Sequence, residues 1–305
     1  MNYNFTASLV VTNHKAVIIG FGSLIIYKDG KWAKRIIDLQ ESDGKWGCFH
    51  SLSQFYNSPI TTEQALRRLE ILGYTIEDEC IQKAVAYMDD CLTGKDSIPD
   101  RPEKIHDWKI FTSLILTTWI RRFTLDNANA NKVAKQWADV ISSAFATGGY
   151  NHSEYVNAYY EILGMKPNGG RLIDFMNFYP ISMLNGCLSK EIEFAFMQYV
   201  LDYENGIYYV YDKGLSLVPY CFESREASRY LGAIELLARY EHAKSELKYV
   251  VDWLNIHRNN DGKWDMGKTV NDKIYFPRSD NWRKQETREA DCTARIEALM
   301  KKITT

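Results

Sequence analysis

Apolar residues recur along most of the chain at the spacing of amphipathic helices. Thr61 and Gln64 form a capping-box pattern before one such segment, and Ser189 is placed to cap another. Between residues 171 and 188 the apolar pattern is broken by Pro180 and Gly186, which predicts one or two shorter helices. The other predicted helices cover residues 32–39, 62–72, 77–92, 104–123, 131–146, 152–163, 189–203, 224–240, 242–257 and 287–302. The pattern therefore predicts an all-α protein.

One segment carries a β signal. Asn205 and Gly206 precede residues 207–211, in which aromatic and β-branched residues alternate. A single segment of this length does not make a sheet, so we predict at most a short β-hairpin there.

An apolar run covers residues 16–27, between Lys15 and Lys28. It is too short for a transmembrane helix, which needs about 20 residues. The first 14 residues contain no Lys or Arg, so a signal peptide is not predicted. We expect residues 1–30 to form a buried segment that packs on the helices, or that closes a ring if the helices are arranged in one. Shallow peripheral contact with a membrane is the alternative.

Glycine turns recur along the chain at intervals of about 50 to 57 residues. They lie at residues 43–44, 94, 148–149, 205–206 and 261–262. Such spacing is typical of helical-hairpin repeats, whose units bury their apolar faces by stacking on neighbours. No Pro/Ser-rich linker or charge run divides the sequence, so we predict one domain over residues 1–305.

The charge, cysteine and aromatic content limit the possible partners, the cellular location and the role of the buried surface. The 37 basic and 39 acidic residues give a net charge of −2, which disfavours nucleic acid as a partner. The six cysteines form no Cys-x-x-Cys pair, which indicates reduced thiols and a cytoplasmic location. The 20 Tyr and 8 Trp are numerous for this length and are expected to fill interhelical gaps or to line a cavity.

Asp-Gly-Lys-Trp occurs twice, at residues 43–46 and 261–264. Residues 40–46 resemble the Gln-x-x-Asp/Glu-Gly-x-Trp repeat of the squalene-cyclase and protein-prenyltransferase superfamily, with one extra residue. The second copy has Asn259 or Asn260 in place of the Gln. The resemblance implies an α/α toroid of about five to six helical hairpins, in inner and outer rings around an aromatic-lined cavity for an isoprenoid chain.

In that family the repeat motif is structural. Its Asp caps a helix and its Trp wedges between hairpins. The resemblance therefore implies that Asp43, Trp46, Asp261 and Trp264 are scaffold residues.

The strongest catalytic candidate opens the last predicted helix. Glu289-Ala-Asp291-Cys292-Thr293-Ala294 resembles the Asp-x-Asp-Asp-Thr-Ala motif of the protonating cyclases, whose middle Asp is the general acid. The resemblance implies that Asp291 donates a proton to an alkene, with Glu289 and Cys292 beside it. The alternative is structural, because an Asp near a helix start caps exposed N–H groups or pairs with nearby arginines.

Metal sites are weakly indicated. Asp291 and Cys292 are adjacent, without the intervening residue of the zinc-dependent prenyltransferases, and no His follows them. Asp89 and Asp90 form a carboxylate pair, but Thr93 stands where a magnesium-dependent terpene synthase has a third acid. We therefore expect neither Zn²⁺ nor Mg²⁺ as a cofactor.

A basic, aromatic loop precedes the last helix. Arg278, Arg283 and Arg288 suit a diphosphate or carboxylate head group, with Tyr275 and Trp282 against the apolar chain. A solvated loop is the alternative. Residues 119–123, which include two arginines, suggest the same role more weakly.

Two functions follow from the sequence. The first is a terpenoid-cyclase-like or prenyltransferase-like protein that binds an isoprenoid or similar apolar small molecule and cyclises it by protonation from Asp291. The second is a non-catalytic toroid that serves as a binding or scaffold protein.

Overall fold

The computed structural model describes residues 27–51, 58–164 and 171–305. These residues contain twelve α-helices, one 3-10 helix at Lys268–Val270 and no β-sheet, which confirms the predicted all-α class. The helices are α1 Lys31–Ile37, α2 Thr62–Ile71, α3 Glu79–Thr93, α4 Trp108–Phe123, α5 Ala128–Ala144, α6 His152–Leu163, α7 Phe178–Met183, α8 Lys190–Asp202, α9 Arg225–Leu237, α10 Ala243–Glu246, α11 Lys248–Ile256 and α12 Gln285–Thr304.

Local capping signals set several helix starts. The Thr61 hydroxyl accepts a hydrogen bond from the backbone N–H of Gln64, whose side chain accepts the N–H of Thr61 in return, so the predicted capping box is confirmed. Ser189 caps α8 as predicted. Helix α4 begins later than predicted because the Asp107 side chain caps it by accepting the N–H of Ile110.

The predicted hairpin segment forms a tight turn. The backbone groups of Ile207 and Tyr211 exchange hydrogen bonds of 2.7 and 3.0 Å, and Tyr209 between them has a φ of 71°. Only isolated bridges connect these residues, so no strand extends from the turn. The left-handed conformation of Tyr209 reverses the chain before a second pair of strand residues can form.

The two copies of Asp-Gly-Lys-Trp make the same contacts. The indole N–H of Trp46 donates to the carbonyl of Ile36, and that of Trp264 donates to the carbonyl of Leu254, both at 2.7 Å. The backbone N–H of Trp46 donates to the Thr62 hydroxyl at 2.9 Å, and that of Trp264 donates to a threonine hydroxyl on α12 at 3.1 Å. Both indoles are almost fully buried. The repeated motif is therefore a repeated piece of structure that connects α1 to α2 and α11 to α12.

The structure corrects two details of the motif. The Asp43 carboxylate binds the ammonium group and the backbone N–H of Lys45 instead of capping a helix. The Gln40 amide donates to the Gly44 carbonyl at 2.9 Å, and in the second copy the Arg258 guanidinium donates to the equivalent carbonyl at 2.8 Å. Arg258, rather than Asn259 or Asn260, therefore occupies the Gln position.

Gly44 is required where it stands. Its φ is +98°, and a Cβ atom there would lie 2.5 Å from the carbonyl oxygen of Lys83 on α3. The second hydrogen bond of Gln40, at 2.8 Å to the Cys80 carbonyl, holds the turn against the same helix. A residue without a Cβ is the only one that allows so close an approach.

Five helices that are not adjacent in sequence line one cavity: α2, α4, α7, α9 and α12. We call it the central cavity because residues from both the first and the last described segments line it. The first and last parts of the described chain meet beside it. The backbone N–H of Lys31 donates to the Asp280 carboxylate at 3.1 Å, and the Arg68 guanidinium donates to the Ile274 carbonyl at 2.9 Å. This arrangement brings residues from the whole length of the chain to one place.

The buried hydrophobic side chains form one cluster that extends from Tyr27 to Ile303. The single domain over residues 1–305 stays a prediction, because part of the expected N-terminal segment lies outside the described residues. Within the described ranges, no helix is both long enough and apolar enough to cross a membrane.

Candidate functional site

The central cavity has a volume of about 450 Å³, which is within the usual range for small-molecule sites. Seven basic side chains and two acidic ones line it, so the basic groups exceed the acidic ones by five. The basic residues are Lys28, Arg67, Arg122, Arg239, Arg278, Arg295 and Lys302, and the acidic residues are Glu70 and Glu235. The chain as a whole has a net charge of −2, so positive charge is concentrated here.

The two acids are already engaged by arginines. Arg122 donates to Glu70 Oε2 from Nε at 2.8 Å and from Nη2 at 2.6 Å. Arg295 donates to Glu235 from Nε at 2.7 Å and from Nη2 at 3.0 Å. Arg239 approaches Glu70 only to 3.9 Å. The cavity therefore contains more guanidinium groups than its own carboxylates can neutralise.

Arg278 is the clearest unpaired cation of the cavity. No carboxylate of the described residues forms an ion pair with it, and its buried Nε has no hydrogen-bond partner. Burial lowers the pKa of Arg278, and the positive charge of Arg295 lowers it further. Burial likewise lowers the pKa of Arg239, with the charge of Arg122 acting in the same direction. Like charges repel one another, and an anion placed between them would reduce that repulsion.

Aromatic rings orient several of these guanidinium groups. The Arg67 and Arg122 guanidinium carbons lie 4.5 and 5.3 Å from the centre of the Phe178 ring. The Arg295 guanidinium carbon lies 4.3 Å from the centre of the Tyr275 ring. These cation–π contacts help to hold the arginines in place. Tyr275, predicted to contact a ligand chain, thus lines the cavity.

Asp291 lies beside the cavity rather than in its lining. Its side chain is fully buried, and Oδ2 accepts three hydrogen bonds of 2.9 Å, from the backbone N–H groups of Arg278 and Ser279 and from the Ser279 hydroxyl. Asp291 therefore fixes the loop that carries Arg278. The structure thus brings together Asp291, which was predicted as an acid, and Arg278, which was predicted as a head-group ligand.

Asp291 also interacts electrostatically with Tyr27. Asp291 Oδ1 and the Tyr27 hydroxyl are both buried without a hydrogen-bond partner. Burial raises the pKa of Tyr27, and the charge of Asp291 and its interaction with the hydroxyl raise it further. Tyr27 itself lines the cavity. Tyr27 therefore both interacts with the predicted acid and lines the cavity.

The other residues predicted with Asp291 face elsewhere. Glu289 accepts a hydrogen bond from the Gln285 amide at 2.9 Å and lines a separate surface groove. Cys292 is fully buried, and burial raises the pKa of its thiol to about 12. A thiol in this environment stays protonated at neutral pH.

The remaining loop residues also lie outside the cavity lining. Arg288 is buried and donates to the Asp265 carboxylate at 3.0 Å, while Arg283 is exposed. The ring of Trp282 packs on Phe276, with 5.0 Å between ring centres. Of the loop residues predicted to bind a ligand, the structure places Arg278 and Tyr275 in the cavity.

Metal ligands are not grouped in the described ranges, where no cluster of three or more His, Cys, Asp or Glu side chains could hold an ion. Asp89 accepts hydrogen bonds from the amides of Asn127 and Asn129, and Asp90 pairs with Lys95 at 3.0 Å. Each carboxylate of the pair therefore has a partner among the described residues.

A buried network that sequence reasoning missed lies next to the cavity. Glu63 Oε2 is 3.0 Å from His50 Nδ1 and accepts the Tyr179 hydroxyl at 2.9 Å, while Glu63 Oε1 accepts Arg67 Nη2 at 3.0 Å. Burial alone would lower the pKa of His50, but the hydrogen bond and charge of Glu63 outweigh it and raise that pKa. Burial alone would raise the pKa of Glu63, but the contacts with His50 and Arg67 outweigh it and lower that pKa. Glu63 thereby fixes one of the cavity arginines.

The His50 network predicts a pH-dependent stability. Because the pKa of His50 is raised on folding, its contribution is fully present below its unfolded value of about 6.5 and is lost as pH rises through the folded value. We therefore expect the destabilisation caused by His50→Gln, measured by urea unfolding, to be larger at pH 6 than at pH 9. In a Glu63→Gln background this difference should mostly vanish. An equal destabilisation by His50→Gln at both pH values would contradict the raised pKa of His50 in the folded protein.

A sequence signal for the cavity does exist on two helices. Arg67 and Glu70 are three residues apart on α2, and Arg295 and Lys302 are seven apart on α12, so each pair lies on one helical face. Charged residues on an otherwise apolar face indicate an inner polar surface. Nothing in the sequence shows that the two faces meet.

A scan against protein-family models, a search of curated proteins and a search of solved structures each found no match to this chain.

Proposed function

We propose that the chain folds as an α/α toroid whose central cavity binds an isoprenoid or a similar apolar chain through a diphosphate head group. The observation that carries this proposal is the excess of five basic side chains in the lining of a cavity of about 450 Å³. Three of the five remain in excess after Lys28 pairs with Asp78 and Arg67 pairs with Glu63 outside the lining. Arginine binds phosphate oxygens with two parallel N–H groups, so a diphosphate matches several guanidinium groups at once.

The arrangement of the lining helices supports the toroid. Helices α2, α4, α7, α9 and α12 face one cavity, while helices between them in the sequence do not contribute to it. Lining helices that are separated along the chain by one or two non-lining helices are expected for inner and outer rings. The matching contacts of Trp46 and Trp264 support a repeated hairpin unit.

The apolar part of the cavity wall suits a hydrocarbon chain. Ile71, Leu72, Phe178, Leu236 and Leu299 line the cavity together with the basic groups. A ligand with a charged head group and an apolar chain can contact both the basic groups and the apolar side chains of the lining. Inorganic phosphate can contact only the basic groups.

Catalysis by protonation is the second candidate function. It is favoured by the unpartnered Asp291 Oδ1 and the Tyr27 hydroxyl, because Tyr27 connects this acid to the cavity. In this reaction a proton passes from Asp291 by way of Tyr27 to a carbon–carbon double bond. The carbocation then closes a ring and returns a proton to the carboxylate or to water.

The proposal is tested with geranyl, farnesyl and geranylgeranyl diphosphate, and with squalene as an uncharged isoprenoid. We expect the three diphosphates to raise the melting temperature and squalene to leave it unchanged, because only a ligand that binds the folded state stabilises it. Geraniol is the matched control without the head group. Equal shifts by geraniol and geranyl diphosphate would overturn head-group binding.

The same incubations decide between catalysis and binding alone. A cyclised product detected by mass spectrometry, lost in Asp291→Asn and reduced in Tyr27→Phe, supports the enzyme. Bound but unchanged diphosphates support the non-catalytic binding or scaffold protein. Diphosphate-induced stabilisation should also be measured for Asp291→Asn. If the variant is still stabilised but forms no product, the acid has been lost; if it is no longer stabilised, the loop that carries Arg278 has been displaced.

A further inference from the structure

A second groove lies on the other side of α2, between α1, α2 and the loop around Ile274. It has a volume of about 690 Å³ and is open to solvent. Its apolar wall combines an aromatic ring with aliphatic side chains. The apolar residues are Trp32, Ile36, Leu39, Pro59, Ile60 and Ile274. Arg67 lines both this groove and the central cavity.

Every charged residue of this groove is basic. Arg35, Arg67, Arg68 and Lys273 line it, and no acidic side chain does. Within the described part of the chain, Arg67 pairs with Glu63, whereas the other three form no ion pair with a carboxylate. The uncompensated positive charge therefore lies beside an apolar wall.

Arg68 is held at the groove although burial and a neighbouring cation disfavour its charged form. Its guanidinium donates to the Ile274 carbonyl at 2.9 Å, and burial, followed by the charge of Arg278, lowers its pKa to about 10. Arg35 packs its guanidinium carbon 5.7 Å from the centre of the Trp32 ring. The Trp32 indole is held in turn by a hydrogen bond of 3.2 Å to the Ser279 carbonyl. Arg68 and Trp32 are thus held by hydrogen bonds to the backbone of the loop, while Arg35 and Lys273 are exposed at the rim of the groove.

We infer that this groove binds a soluble amphiphilic anion, a single hydrocarbon chain with one carboxylate or phosphate head group. The chain lies on the apolar wall, and the head group is bound by Arg35, Arg68 and Lys273. Charge complementarity selects this occupant, because a neutral chain leaves the three cations unpaired and a cationic chain is repelled. The inference is independent of the function proposed for the central cavity.

The test uses dodecanoate and dodecyl phosphate below their micelle concentrations, with dodecanol and dodecyltrimethylammonium as neutral and cationic controls. We expect calorimetry to detect binding of both anions and at most weak binding of the controls. Arg35→Gln/Lys273→Gln, which changes two exposed residues, should weaken dodecanoate binding by about tenfold or more. Leu39→Asp should weaken it as well, because it places a negative charge on the apolar wall.

Two further variants localise the binding. Lys34→Gln/Lys268→Gln removes the same charge from exposed positions outside the groove and should leave dodecanoate affinity unchanged. Arg239→Gln, in the central cavity, should also leave it unchanged. Loss of binding in Arg239→Gln but not in Arg35→Gln/Lys273→Gln would place the ligand in the cavity and overturn the inference.

The source of the ligand is tested separately. Vesicles of phosphatidylcholine with 30% phosphatidylglycerol present the same anionic chemistry as a membrane surface. Vesicle binding without dodecanoate binding would overturn the assignment to a soluble amphiphile, as would equal affinity for dodecanoate and dodecyltrimethylammonium. Neither outcome changes the expected binding of diphosphates in the central cavity, so the two proposals fail independently.

Discussion

Replacing Trp264 with alanine is expected to lower the free energy of unfolding by about 3–5 kcal/mol, the range for truncating a buried Trp. Its side chain is 1% exposed, and its indole N–H donates to the Leu254 carbonyl at 2.7 Å. Truncation leaves a cavity between α11 and α12 and an unpaired carbonyl. Urea unfolding followed by circular dichroism measures the loss.

Trp264→Phe is the matched control for this prediction. It keeps most of the buried ring and removes the hydrogen bond, so we expect a loss of about 1–2 kcal/mol. Because Trp46 makes the same contacts in the first copy, Trp46→Ala should be destabilising to a similar extent. A loss below about 1 kcal/mol for both alanine variants would show that the repeated motif does not hold the helices together.

Replacing Arg239 and Arg278 together with glutamine is expected to weaken diphosphate binding by about 100-fold or more. Each charge-assisted hydrogen bond is worth about 1.5–3 kcal/mol, and two are removed. The same variant should unfold at equal or higher temperature without ligand, because burial and neighbouring cations lower the pKa of both arginines. Melting temperatures and titration calorimetry measure the two effects.

The opposite responses of stability and affinity distinguish a binding site from a structural network. Residues that bind a ligand often reduce the stability of the unliganded protein. Lys34→Gln/Lys268→Gln provides the same charge change outside the cavity and should alter neither quantity. A double arginine variant that loses stability while keeping diphosphate affinity would assign the two side chains to the scaffold.

Local signals in the sequence were sufficient to predict most of the helices. The capping box of Thr61 and Gln64 depends on residues within one turn, and the structure reproduces it. The break between α10 and α11 at Leu247 was not predicted, because residues 242–257 keep an apolar face through it. The Gln position of the second motif was also misplaced, since Arg258 supplies the same hydrogen bond from a different chemical group.

The cavity was predicted only in part, because its charge comes from distant segments. The sequence predicts Arg278 as a head-group ligand from its own loop, and Arg122 more weakly from its helix, but it does not single out Arg67, Arg239 or Arg295 for that role. Each of these arginines belongs to a mixed polar and apolar pattern that also fits a solvated surface. Only the packing of five helices shows that they face one another.

The predicted acid and the predicted head-group ligand proved to be parts of one structure. Sequence reasoning treated Asp291 and Arg278 as separate candidates, thirteen positions apart. The carboxylate binds the backbone N–H of Arg278 at 2.9 Å, so it fixes the position of that cation beside the cavity. Which loop packs against Asp291 depends on tertiary structure, and no local pattern encodes it.

The central claim is that the cavity binds a diphosphate group, and calorimetric titration of the wild-type protein with inorganic diphosphate tests it most directly. The account predicts one site per chain, with affinity that falls as salt is raised because charge attraction drives the binding. It also predicts tighter binding of geranyl diphosphate, which adds apolar contact. Absence of diphosphate binding at low salt, or binding that Arg239→Gln/Arg278→Gln leaves intact, would contradict the account.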